Sequence, residues 1–217
     1  MGYMECPIYR KDTAVHKKQS DALSGSVLTK ASKVGGAALL LLLCLLMLLS
    51  GGALASDSRN HPFEMSSPNF RDGGALSEHN EMNQFGCHGD NVAPTLEWTG
   101  VPAGTKSFAF TINDVDAPVA GGFHHWVVFN IPGNVDELHN NPPYDQGTNS
   151  YPTVGYGGPC PPPDGQIHHY IFTVYALSVT HIAGDKTLTY EQLLSEIAND
   201  VQGITSIVGT FSRTSNS

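Results

Sequence analysis

The chain has 217 residues, 40% of them apolar and 14% charged, and a formal net charge of −9. It has enough apolar residues to bury a core. Its acidic balance excludes the clustered basic footprint that nucleic acid or an anionic lipid surface requires.

Leu39 to Leu49 is an unbroken apolar block, preceded by Lys30 and Lys33 and followed by Ala53-Leu54-Ala55. A basic flank, a short apolar core and a small-x-small exit describe a secretory signal, with cleavage expected after Ala55. The stretch from Val34 to Ala55 also has the 22 residues of an uncleaved membrane anchor, which is the alternative. Gly51, Gly52 and the exit favour cleavage. Cys44 follows Leu43 inside the block, whereas a lipidated cysteine wants small neighbours. The polar stretch before Lys30 has no periodic apolar face, so initiation nearer Val27 or Leu28 would leave a signal of ordinary length. The expected location is exported, periplasmic or secreted.

Removing residues 1–55 leaves 162 residues, the size of one domain. Six of the 11 basic residues and three of the 20 acids lie in that leader, so the remainder carries a net −12. Any anion must therefore be met by local groups. Cys6 and Cys44 leave with the leader, and Cys87 and Cys160 remain as a single possible pair. In an oxidising compartment they are expected to be bonded, the other outcome being two free buried thiols.

Residues 56–68 read as a polar, flexible lead-in, and 69–217 as the folded domain. Phe108 to Ile112, Trp126 to Ile131, Tyr170 to Leu177 and Ile204 to Phe211 are rich in aromatic and β-branched residues and read as strands. In Tyr170 to Leu177 both alternating sets are mainly apolar, which places that strand in a core covered on both sides. Asn140 to Gly165 is rich in Pro, Gly, Asn and Asp and reads as ordered loop. Thr189 with Gln192 forms a helix-capping signature, and Tyr190, Leu193, Leu194, Ile197 and Val201 recur at helical spacing. Many strands with one late helix make a mainly β chain, a β-sandwich with helical additions.

Two stretches carry the chemistry. Asp114-Val115-Asp116-Ala117-Pro118 precedes His124-His125-Trp126, and Gly157-Gly158-Pro159-Cys160-Pro161-Pro162 precedes His168-His169-Tyr170. One reading is an anion pocket in which Asp114 holds His125 or His168 protonated, while glycine-rich backbone at Gly157-Gly158 adds N–H donors. A second is a metal site, but adjacent histidines on one strand point to opposite faces, so only one of each pair could reach a given ion. A third is hydrolysis, for which no nucleophile elbow or zinc-protease helix is present. Against these stand plainer roles: His125 as a core histidine at a sheet edge, Asp116 as a turn former, and Tyr170, Trp98 and Trp126 as core aromatics.

In the same order along the chain run Asp90-Asn91-Val92-Ala93-Pro94, Trp98, Val101 to Ser107, the Asp114 motif, His125 to Pro132, and Gly158 to Pro162 with His168-His169-Tyr170. From about Asn69 to Arg213 this resembles the phosphatidylethanolamine-binding protein family, in its bacterial and archaeal, Raf kinase inhibitor-like branch. The resemblance implies an antiparallel Greek-key β-sandwich with a few peripheral helices, one near the C-terminus. It also implies a pocket for phosphate, acetate or a phosphorylated head group, built from Asp114, His125, His168 and Tyr170 with backbone from Gly158 to Cys160. Two positions depart from the family pattern. Val115 stands where a proline is usual, and His169 where an arginine is usual, which removes a permanent charge.

The leading expectation is an exported, disulfide-stabilised, non-catalytic binding protein for a small anionic or phosphorylated ligand, a phospholipid head group included. It needs no cofactor and no metal. Modulation of a protein partner, as a kinase or protease inhibitor would do, is the second reading, and a metal-dependent hydrolase the third. The oligomeric state stays open, a homodimer included.

Overall fold

In the chain's computed structural model, residues 61–214 are described. The signal core, its cleavage point, Cys6 and Cys44 lie outside the described residues. Among the described residues, nine strands and one α-helix follow in order: β1 Glu64–Ser66, β2 Gly74–Ala75, β3 Leu96–Thr99, β4 Ser107–Asp114, β5 Phe123–Pro132, β6 Glu137–Leu138, β7 Asp145–Gln146, β8 His168–Leu177, α1 Tyr190–Ile197 and β9 Val201–Phe211.

The strands form a three-stranded sheet ordered β1-β3-β6 and a six-stranded sheet ordered β2-β9-β8-β4-β5-β7. Period-two alternation explains how they stack. Phe108, Phe110 and Ile112 of β4, Trp126 and Val128 of β5, and Phe172, Val174 and Ala176 of β8 share one face, where they meet Met65, Leu96, Trp98 and Leu138 of the small sheet. Trp98 and Phe108 touch across that interface with ring centroids 5.2 Å apart. A fully buried Phe or Leu there contributes roughly 1.5–3 kcal/mol relative to exposure. The opposite set, Ala109, Val127, Phe129, Tyr175 and Leu177, packs beneath Leu193 and Ile197 of α1. Strand β8 is thus covered on both faces, as its composition requires.

Four expectations are corrected. The lead-in is not flexible throughout, because Glu64–Ser66 pairs with β3 and buries Met65. The large sheet is not wholly antiparallel, since β2 pairs with β9 in parallel. Helices are fewer than expected: α1 is joined only by a 3-10 turn at Glu78–Asn80 among the described residues. Val201, at helical spacing from Ile197, instead opens β9.

Helix α1 begins where Thr189 caps it. Its hydroxyl accepts from the Gln192 N–H, and the Gln192 side chain accepts from the Thr189 N–H at 2.9 Å. Thr189→Ala removes half of this exchange and should cost about 1 kcal/mol in chemical denaturation.

The register between β4 and β5 decides the site. Ile112 lies opposite Trp126 but Asn113 lies opposite His124, so His125 is an extra residue in β5. Such a bulge reverses which side the neighbouring side chains face.

Candidate functional site

Because of that bulge, His124 and His125 part company. His124 turns toward α1, where its ring stacks on Tyr190 at 4.0 Å and Nε2 meets the Glu191 carboxylate at 2.8 Å. His125 turns to the inter-sheet side, edge-on to Tyr170 with centroids 5.1 Å apart. Asp114 and Tyr170 lie opposite each other on β4 and β8, and His168 lies two residues from Tyr170 on the same strand face. The apolar stripe between the two sheets therefore ends in four polar side chains from three adjacent strands.

Asp114 and His168 are nearly sealed, with side chains 5% and 7% exposed, and Oδ2 lies 2.7 Å from the His168 Nδ1. The second carboxylate oxygen accepts the Asp116 N–H at 3.0 Å. Both carboxylate oxygens are thus held from within the chain.

His125 differs from what its neighbours suggested. Burial lowers its pKa to about 4, outweighing the hydrogen bond to Gly157 and the Asp114 charge, which both act in the opposite direction. The expectation that Asp114 keeps this ring protonated is therefore corrected: desolvation beats one nearby carboxylate. Its Nδ1 lies 2.6 Å from the Gly157 carbonyl, which can only accept, so Nδ1 carries the proton of the neutral ring. The other ring nitrogen, Nε2, is buried with no hydrogen-bond partner among the described residues. The Tyr170 hydroxyl is buried and likewise lacks a well-formed hydrogen bond, and burial together with the nearby Asp114 charge pushes its pKa upward.

The backbone donors expected at Gly157-Gly158 are engaged elsewhere. The Gly157 N–H bonds the His125 carbonyl at 2.9 Å, and the Gly158 N–H bonds Asn91 Oδ1 at 2.7 Å. The Gly158 carbonyl accepts from the Tyr151 hydroxyl at 3.0 Å. Glycine is required at 158 by crowding: a Cβ would strike the Asn80 carbonyl and lie 2.6 Å from the Met82 nitrogen. Gly158 thus shapes the wall and offers no free N–H.

Asp114, His125, His168 and Cys160 line a cavity of about 140 Å³, closed by Tyr151 and by apolar Ala117, Pro118, Phe123, Pro161 and Pro162. Tyr170, edge-on to the His125 ring, is not itself part of the lining. No Lys or Arg is in its lining. Arg213 approaches Cys160 Sγ to 3.5 Å, but its guanidinium is held by the Pro161 and Gly86 carbonyls and by Glu81. A larger cavity of about 490 Å³ is lined by Glu78, Glu81, His88 and Arg213 among others. That cavity holds none of the expected site residues, and its Arg213 and Glu81 are paired with each other. The smaller cavity gathers Asp114, His125 and His168, and there His125 Nε2 lacks a partner among the described residues.

Cys87 and Cys160 form a disulfide with Cα atoms 5.9 Å apart, so one wall of the cavity is covalently tied to the loop that carries Phe85. Phe85 is exposed and stacks on Tyr151 at 5.4 Å. Sequence reasoning missed Tyr151 and Asn91. Tyr151 lies in a loop without periodicity, and the only cue to Asn91 was its place in the Asp90-Asn91-Val92 motif.

The two departures have local explanations. The Val115 N–H donates to the His169 carbonyl at 3.2 Å, a bond that a proline could not make. His169 pairs through Nδ1 and its backbone N–H with Asp116, each at 2.7 Å, and the ring contact holds the Asp116 carboxyl below its usual range. Asp116 is therefore more than a turn former, but the pair is solvent-exposed and worth little. Among the described residues no three His, Cys, Asp or Glu side chains gather in ion-binding geometry.

The model of the phosphatidylethanolamine-binding protein family matches residues 66–212. YbcL of Escherichia coli (strain K12) is 40% identical over 137 residues, which cover 57% of this chain and 73% of YbcL. Its crystal structure, described as that of a new member of the mammalian family, superposes with a TM-score of 0.67 at 34% identity, covering 70% of this chain and 99% of that one. LppC of Mycobacterium tuberculosis, named as a candidate lipoprotein, is 38% identical over 155 residues, 69% of this chain and 72% of LppC.

Proposed function

The chain belongs to the phosphatidylethanolamine-binding protein family, and from that premise we propose that it is an exported, non-catalytic binding protein whose 140 Å³ cavity takes phosphate or a small phosphorylated or anionic head group. In this reading the leader ends at Ala55 and the domain that follows works in an oxidising compartment, periplasmic or secreted. The disulfide and the likeness to LppC support export.

One observation carries the binding reading: among the described residues His125 Nε2 has no hydrogen-bond partner and the Tyr170 hydroxyl no well-formed one, and both are buried beside the Asp114–His168 pair. A buried polar atom left unbonded costs about 1–3 kcal/mol, and native proteins rarely leave two so close together. Of the two, His125 belongs to the cavity lining, where a ligand hydroxyl would give its ring a partner. Nothing in the lining resembles an activated nucleophile, because Cys160 is disulfide-bonded and the Tyr151 hydroxyl is bound to a carbonyl. The small volume excludes a whole lipid and leaves room for its head group.

Titrating inorganic phosphate into the protein purified after export, followed by NMR of the histidine side chains at pH 6, should move the His125 and His168 resonances together and leave His139 unchanged. Resonances that stay fixed up to tens of millimolar phosphate would sink the reading.

A further inference from the structure

We propose that the cavity of about 490 Å³ is a second binding site and that it takes a small organic cation, a protonated amine carried on an apolar stem. The proposal does not rest on the anion reading, since none of Asp114, His125 and His168 is in this lining.

The walls are built by close packing. Leu76 follows β2 and packs on Gly209 of β9, where a Cβ would lie 2.7 Å from its side chain. Phe211 ends β9 and Ile167 precedes β8, and with Leu76 they form the apolar part of the lining. The polar part comes from the 3-10 turn at Glu78–Asn80 and the loop after it, where His88 follows the disulfide-bonded Cys87. A Cβ at Gly89 would strike the Glu78 and Glu81 carbonyls, so this loop is pressed against the turn. Pockets for small ligands run from roughly 300 to 1,000 Å³, and this one falls inside that range. Ile167 is 61% exposed, an apolar surface that a ligand stem would remove from water.

The sign of the ligand follows from which charges are already committed. Arg213 Nη2 lies 2.6 Å from the Gly86 carbonyl, Nη1 3.1 Å from the Pro161 carbonyl and Nε 3.5 Å from Glu81 Oε1. Each guanidinium nitrogen thus meets an acceptor of the chain. Glu81, as buried as Arg213, also accepts the His88 N–H at 3.3 Å. Glu78 is different: it is exposed, and its carboxylate has no partner among the described residues. The uncommitted carboxylate of the lining is therefore open to a cation, and the His88 ring, also without a side-chain partner among the described residues, offers a nitrogen that can accept from an ammonium. The net −12 of residues 56–217 adds a field of the same sense. An anion would have to displace the bonds of Arg213, whereas an ammonium meets Glu78 while its stem covers Ile167 and Phe211.

Amide NMR of the protein purified after export would compare phenethylammonium, 2-phenylethanol and phenylacetate at about pH 7.5. All three carry a phenyl ring on a short chain, and they differ in charge. Phenethylammonium should move the amides of Leu76, His88 and Phe211 to saturation. Phenylacetate at the same concentration should leave those three in place. The neutral alcohol should move them with about fivefold weaker affinity, the worth of one partly exposed ion pair. Glu78→Gln should weaken the cation about fivefold and leave the alcohol unchanged. Ile167→Ser should weaken cation and alcohol alike, about threefold, through lost apolar cover. Both side chains are exposed, so neither variant disturbs the core. Equal shifts from cation and phenylacetate, cation shifts that miss these three amides, or a cation affinity unchanged in either variant would overturn the proposal.

Discussion

Replacing both cysteines, Cys87→Ser together with Cys160→Ser, is expected to lower the free energy of unfolding by about 4 kcal/mol. The bond closes a loop spanning 73 positions. Without it, the unfolded chain regains the freedom of that whole segment, which includes β3, β4 and β5. The folded state loses little else, because neighbouring bonds remain. Met82 N–H still reaches the Pro159 carbonyl at 3.0 Å, and Gly158 still reaches Asn91. Urea denaturation of the wild type in oxidising and reducing buffer, beside the double variant, gives the measurement. The reduced wild type should match the variant, and a loss smaller than about 1 kcal/mol in both would refute the chain-entropy account. The same experiment reports on the cavity, since Cys160 is in its wall and Phe85 is held over Tyr151 by the bonded loop.

Acid should destabilise the protein through His125. In the unfolded chain this imidazole titrates near its ordinary value of 6.5, and in the folded protein near 4. Between those values the unfolded chain binds a proton that the folded protein refuses, so stability is full above about pH 6.5 and falls as the pH drops toward 4. The loss amounts to about 3 kcal/mol by pH 4. Asp116 and Glu191 also have lowered pKa values, but both are largely exposed, so they add little to the slope. Denaturation midpoints measured from pH 7.5 to pH 4 should show the slope in the wild type and a flatter profile in His125→Gln, whatever that variant's stability at pH 7. A wild-type profile flat across the window would show that the ring is not buried neutral.

The long strands were legible because their residues repeat with period two and carry aromatic or β-branched side chains on both faces. Helix α1 was legible because Thr189 and Gln192 announce its start. Strands β1, β2, β6 and β7 were not: at two or three residues each, they contain no periodicity, and tertiary pairing alone defines them. The gathering of Asp114, His125 and His168 came from the family resemblance; residue patterns alone left His125 balanced between core and site. A bulge leaves no mark in a string of letters, and simple alternation would have sent His125 toward α1 with Val127 and Phe129. The protonation state was misjudged for a related reason. A carboxylate near an imidazole suggests a charged pair, but how completely the ring is desolvated depends on Phe123, Tyr151 and Tyr170 closing over it from three segments.

Strand β5 carries out two tasks beside that extra residue. Its partner β7 stops at Gln146, and beyond that point the carbonyls of Val127, His125 and His124 receive the N–H groups of Gly147, Gly157 and Ser150. The rim of the cavity is therefore moored like a flap, stitched to the strand whose His125 side chain lines it. Tightening of those stitches on occupancy would appear as slower amide exchange at Ser150 and Gly157, a readout that needs neither a labelled ligand nor knowledge of its identity.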